Sequence, residues 1–311
     1  MKGFQKLRKN KLKLFYLTVL LGVFSIFLIL AYLNFQVKNQ ITEVGINSLP
    51  LNFASEDYPI VEGRIPLPQI SAQGAVVIDN DSKVPLYSKN PKLRFLPAST
   101  TKIMTALVAL EYYKPDDPLT IYKKNVGGSI SEFEVGEQFR FEDLLYAMLL
   151  PSNNDATLSI AQNYPGGEKE FILRMNEKAK EISLANTHYV DPVGLEIGNY
   201  TTPVDLAILT SIAVENPTFS KVVSTKNRQI ESLGGNKYFV YNLNELLDLP
   251  GINGVKTGYT QEAGEVLVTS KKLVDKNKNL IIVVMKSEDR FLDTQLLLEY
   301  LQNITYQPIH L

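Results

Sequence analysis

From residue 74 onward the apolar positions fall into two kinds of run. Short β-like runs, GAVVID (74–79) and VPLYSK (84–89), flank Asn80, Asp81 and Ser82, which is the pattern of a hairpin. Residues 265–274 and 278–286 repeat that pattern around Asp275, Lys276 and Asn277 and predict a second strand pair. Longer runs predict helices. LPASTTKIMTALVAL (96–110) opens with Pro97, Ser99, Thr100 and Thr101, which suit a helix entry, and continues as a buried helix. Residues 141–150, closed by Pro151, then 155–163, 168–182 and 202–214 have helical composition, and 291–303 reads as a closing amphipathic helix. Residues 114–138 are punctuated by Pro, Asp and Gly, and there is no internal repeat.

The first 69 residues follow a different pattern. Residues 1–13 carry Lys2, Lys6, Arg8, Lys9, Lys11 and Lys13 with no acid, and residues 14–35 are uncharged and almost wholly apolar. At 1.5 Å per residue this run is long enough to cross a bilayer core of ~30 Å. The basic flank predicts a cytoplasmic N-terminus, a single uncleaved transmembrane anchor and an extracytoplasmic remainder, which places the protein at the cell membrane. A cleaved signal peptide is the alternative, but AYLNFQVKNQ, which follows the run, offers no small-x-small site. Residues 36–69, with Pro50, Pro59, Pro66 and Pro68, read as a linker able to span on the order of 100 Å, and 70–311 as the main folded domain.

Composition narrows the chemistry. Of 311 residues, 45% are hydrophobic and 21% charged, enough for a large core. Cysteine is absent and the only histidines are His188 and His310, so thiol catalysis, disulfides and a zinc centre are not expected. The formal charge is −1 overall; the first 13 residues supply +6, leaving −7 for the rest, a balance that does not suggest a nucleic-acid partner.

The candidate chemistry begins at the entry of the 96–110 helix. Ser99 and Lys102 lie three residues apart, hence on one helix face, where an amine reaches a hydroxyl. A serine beside a lysine base is a nucleophile. The helix start offers unpaired N–H groups to an oxyanion, and the apolar body behind Lys102 disfavours its charged form. By itself Ser-x-x-Lys arises on the order of once by chance in a chain of this length, and a capped helix with a solvated lysine explains it as well. Two further elements change that balance. Ser152-Asn153-Asn154 follows the stop at Pro151, and Lys256-Thr257-Gly258 lies in an expected strand where glycine lets a ligand approach. The chain has one Ser-x-x-Lys and one Lys-Thr-Gly, and the order of the three elements is that of penicillin-binding proteins and class A β-lactamases.

The segments GAVVIDNDSKVPLYSKN, LPASTTKIMTALVALE, EDLLYAMLLPSNNDA, NTHYVDPVGL, NLNELL, GINGVKTGYTQEAG and DRFLDTQLLLEY occur in that order over residues 72–301. This stretch resembles the serine D-Ala-D-Ala carboxypeptidases, the low-molecular-mass penicillin-binding proteins of the peptidase S11 family. The resemblance implies an α+β fold of the β-lactamase/transpeptidase type, a mainly antiparallel central sheet flanked by helices with a largely helical subregion. It implies that Ser99 is acylated by the penultimate D-Ala of a peptidoglycan stem peptide, that Lys102 is the base, and that Ser152 relays a proton to the leaving amine. Asn154 would hold the substrate amide, Lys256 and Thr257 its carboxylate, and the backbone N–H groups of Ser99 and Tyr259 the oxyanion. β-Lactams become expected inhibitors; no cofactor or metal is required. His188 is expected to organise its loop, since a base is already present.

One departure from the family pattern is Asn153, where glycine is more common. Three alternatives stay open. A class A-like β-lactamase needs a Glu-x-x-Leu-Asn segment that does not appear after Ser152; a D,D-endopeptidase would use the same chemistry; and an inactive wall-binding protein would have no need of the serine-lysine pair.

Overall fold

The computed structural model describes residues 57–62, 66–128 and 132–308. In chain order the strands and helices are β1 (Asp57–Val61), β2 (Gly74–Asp79), β3 (Pro85–Lys89), α1 (Lys102–Tyr112), β4 (Pro118–Thr120), β5 (Gln138–Arg140), α2 (Phe141–Leu149), α3 (Asn154–Gln162) and α4 (Gly167–Glu181). There follow α5 (Pro203–Ala213), α6 (Pro217–Val223), β6 (Asn227–Glu231), β7 (Lys237–Tyr241), β8 (Ile252–Thr260), β9 (Gly264–Leu273), β10 (Lys278–Ser287), α7 (Arg290–Tyr300) and β11 (Ile304–Pro308).

β10 shows why the sheet is central. Its residues from Leu280 to Met285 are all apolar and all fully buried, the mark of a strand covered on both faces. Alternation sends Ile281, Val283 and Met285 into one apolar cluster and Leu280, Ile282 and Val284 into another. The sheet has the order β3-β2-β10-β9-β8, with every neighbouring pair antiparallel. α1 to α6 belong to the first cluster, with α5 packed on β2 and β10; α7 covers the other face against β9 and β10. The expected α+β architecture, antiparallel sheet and helical subregion are therefore present. The transmembrane segment expected over 14–35 falls outside the described residues. Among those described, no helix is long and apolar enough to cross a membrane.

The linker reading of 36–69 meets a difference at its end. Asp57 to Val61 is a strand, paired antiparallel with Pro308 to Ile304. Its partner is more than 240 residues away in sequence, so no local turn signal announces it, and Pro59 is tolerated because the two-stranded sheet has only edges. Two short ribbons, β4 with β5 and β6 with β7, also form in stretches for which no strand was expected.

Candidate active site

The turn that carries Ser99 is tighter than an α-helix start. Ser99 sits in a 3₁₀ turn, Ala98–Thr101, and the α-helix begins at Lys102. In a 3₁₀ turn side chains at i and i+3 eclipse, which stacks Lys102 directly on Ser99. The Lys102 Nζ donates to Ser99 Oγ at 2.9 Å, to Ser152 Oγ at 3.2 Å and to Asn154 Oδ1 at 2.8 Å. Ala98, just ahead of Ser99, is held at φ 47, a left-handed conformation that costs alanine about 1–2 kcal/mol. Two neighbours enforce it. Gly194 packs so closely that a Cβ there would stand 1.9 Å from Ala98 O, and a Cβ on Gly258 would stand 3.1 Å from Ser99 N. Glycine at these two positions brings a loop and a strand against the Ser99 turn.

The Ser-Asn-Asn element resolves the question raised by Asn153. The residue in the left-handed region is Ser152, φ 63, while Asn153 has φ −59 and needs no glycine. Its carboxamide caps α3 instead, accepting the Ala156 N–H at 2.8 Å. Asn154, at the first turn of α3, is thereby aimed at Lys102, and its Nδ2 donates to Val126 O at 3.1 Å. Asp155 accepts the backbone N–H groups of Asn125 and Val126, tying the 125–128 segment to α3.

β8 forms the opposite wall. Lys256 and Thr257 are both buried, and Lys256 Nζ donates to Thr257 O at 3.1 Å. Ser99, Ser152, Asn154, Thr257, Gly258 and Tyr259 line one cleft of about 380 Å³, together with Gly127, Leu195, Leu243 and Arg290. All three sequence elements thus converge on one place. His188 does not line the cleft: its backbone pairs with Tyr200 in both directions and its ring lies 5.7 Å from the Tyr200 ring.

Burial controls the charges. Lys102 is fully buried, and desolvation lowers its ammonium from an ordinary 10.5 to about 7, the Asp191 carboxylate acting weakly in the opposite direction. Lys256 is pushed well below its ordinary value, chiefly by burial and then by the nearby Lys102 and Arg290 cations.

Two functional features were missed from the sequence. Arg290 brings a guanidinium to the cleft, donating to Gly258 O at 3.1 Å. It stands next to the Asp289 cap of the closing helix, and that helix-start position was the available signal. Asp191 organises the NTHYVDPVGL loop, accepting the N–H groups of Val193 and Gly194 at 2.6 Å each and of Glu196 at 2.8 Å. An Asp followed by Pro and Gly is a turn signal that pointed to such a role.

A buried amine touching a half-buried cleft serine, with a second hydroxyl and a carboxamide on the same nitrogen, is an arrangement able to carry out acyl transfer. Comparison with known proteins gives the family. The family described as D-alanyl-D-alanine carboxypeptidase, peptidase S11, matches residues 62–289. The D-alanyl-D-alanine carboxypeptidase DacF of Bacillus subtilis is 34% identical over 246 residues, 76% of this chain and 63% of that protein. A D-alanyl-D-alanine endopeptidase of Pseudomonas aeruginosa is 35% identical, covering 76% of this chain and 79% of its own length. Among solved structures, the Streptomyces K15 DD-transpeptidase superposes with a TM-score of 0.71 at 33% identity, over 76% of this chain and 98% of that one. The chain belongs to the D-alanyl-D-alanine carboxypeptidase family, the S11 peptidases.

Proposed function

We propose that this protein is a serine D-Ala-D-Ala carboxypeptidase, tethered to the cell membrane by residues 14–35 with its catalytic domain outside, that trims peptidoglycan stem peptides. The observation that carries this reading is the 2.9 Å contact between Ser99 Oγ and a Lys102 amine whose burial brings it to about 7. About half of it is then neutral near pH 7, so it accepts the Ser99 proton as Oγ attacks the carbonyl of the penultimate D-Ala. The oxyanion is received by the N–H groups of Ser99 and Tyr259. Ser152, also in contact with Lys102, passes the proton to the leaving amine, the C–N bond breaks, and D-Ala departs. Water, deprotonated by the same amine, then cleaves the ester on Ser99.

Asn154 holds the substrate amide. Lys256 and Thr257 receive the terminal carboxylate, whose charge supplies what the buried Lys256 ammonium lacks, and the Arg290 cation reinforces it. β-Lactams acylate the same serine. A second reading, D,D-endopeptidase, is favoured by the relative of that name at 35% identity, since hydrolysis of a crosslink requires the same groups.

The test is release of free D-Ala from a D-Ala-D-Ala-terminated peptide beside cleavage of a crosslinked muropeptide. Penicillin-sensitive D-Ala release supports the carboxypeptidase. Cleavage of the crosslink alone replaces it with the endopeptidase, and no turnover by folded protein refutes both.

A further inference from the structure

The β6–β7 ribbon has two faces that differ in kind. Ile230 and Val240 turn inward and are buried. Tyr238 packs beside them, its ring 5.0 Å from Phe133 and 5.6 Å from Phe139, and its hydroxyl donates to the Glu137 carboxylate at 2.8 Å. Arg228 lies over the Tyr146 ring at 4.0 Å. This inner face fixes the ribbon to the domain.

The outer face carries Phe239 and Tyr241, 65% and 61% exposed. Two residues apart on a strand, they share one side. Their partners across the ribbon are Gln229 and Asn227, both exposed. An antiparallel ribbon packed on one face presents polar residues on the other, so two uncovered aromatic rings break the pattern and add no burial to the fold.

Their position relates them to the cleft. Leu243, two residues beyond Tyr241, lines it together with Ser99 and Ser152. Asn242 Nδ2 donates to Val223 O at 3.1 Å, and a Cβ on Gly254 would stand 2.8 Å from the same oxygen. The base of the ribbon therefore meets β8, through Val223, two residues ahead of Lys256, which the reaction above assigns to the carboxylate of the leaving group. From Leu243 to Phe239 an extended chain spans about 14 Å.

We propose that the outer face of the β6–β7 ribbon is a carbohydrate platform that stacks a sugar ring of the glycan strand carried by the leaving half of a crosslinked substrate. This rests on the D,D-endopeptidase reading, in which the leaving group is a second stem peptide still attached to its glycan strand. A pyranose ring has an apolar C–H face, which an aromatic ring matches, and a rim of hydroxyl and acetamido groups, which the carboxamides of Gln229 and Asn227 match as both donors and acceptors. The charged residues beside the aromatics, Glu231 and Lys237, are cross-strand partners of opposite sign. The formal charges on this face therefore cancel, leaving no net charge to draw a phosphate or an anionic headgroup.

The test uses the full chain in detergent and the double variant Phe239→Ser/Tyr241→Ser, whose side chains are exposed. The expected result is a KM raised about tenfold on a crosslinked muropeptide that retains its sugars, with kcat unchanged and D-Ala release from a sugar-free peptide unaffected. An unchanged KM, or an equal loss on the sugar-free peptide, overturns the platform. Binding is read separately by calorimetric titration of Ser99→Ala protein with an N-acetylglucosamine tetramer. Saturable heat lost in the same double variant supports the platform even if turnover is absent and the peptidase reading fails. No binding by either protein overturns it.

Discussion

Replacing Lys102 by methionine isolates the energetic burden that the active site places on the fold. The native state holds this amine fully buried, at about 7 rather than 10.5, while the unfolded chain returns it to water. Because the folded group binds its proton less tightly, the unfolded state holds more protons between those values, and stability rises with pH from about 7 towards 10.5. A displacement of that size destabilises the native state by about 4 kcal/mol at pH 7 and about 2 kcal/mol at pH 9. Methionine carries no such burden, although it abandons the hydrogen bonds to Ser99, Ser152 and Asn154. That loss contributes equally at both pH values, and the shift of Lys256, set first by burial, is shared in its main part by both proteins. The wild type should therefore gain about 2 kcal/mol on the variant between pH 7 and pH 9. Urea unfolding of both proteins at the two pH values measures the gap. A stability difference independent of pH would refute the claim that folding lowers the affinity of Lys102 for its proton.

Three further outcomes are expected. Acylation of Ser99 by a β-lactam, followed as kcat/KM against pH, should fall tenfold per pH unit below about 7, where Lys102 becomes charged; a profile flat down to pH 5 contradicts a lysine base. Gly194→Ala sets a Cβ 1.9 Å from Ala98 O at φ 94, so it should displace the nucleophile turn, slow acylation at least tenfold and destabilise by about 2 kcal/mol or more, read by acylation kinetics and urea unfolding. Asn153→Ala removes the α3 cap and should cost about 1 kcal/mol in urea unfolding, whereas Asn153→Gly should cost only a few tenths.

How much was legible depended on whether the information was local. β9 and β10 were read within a residue at most of their ends because their turn residues and β-branched runs lie together in sequence, and α1 to α5 because their apolar spacing is internal to each helix. β1 with β11 was not read, since each becomes a strand only by meeting a partner at the far end of the chain. The β6–β7 ribbon was missed although Gly234-Gly235 marks its turn, because the flanking residues mix polar and aromatic types instead of alternating cleanly. At the site, the three elements were readable as residue types at fixed spacings. The convergence of Ser99, Ser152 and Asn154 on the Lys102 nitrogen and the meeting of all three elements at one cleft are tertiary facts with no local signature, and Arg290 offered only its place at a helix start. The concern over Asn153 arose from comparing residue types without dihedral angles; the left-handed residue is its neighbour Ser152.

The most direct test of the account is the mass and location of the acyl group after brief exposure to penicillin. One penicilloyl adduct per chain is expected, mapped to Ser99 by peptide mass analysis and absent from Ser99→Ala protein that unfolds at the same urea concentration as the wild type. An adduct on any other residue, or undiminished labelling of Ser99→Ala, would contradict it.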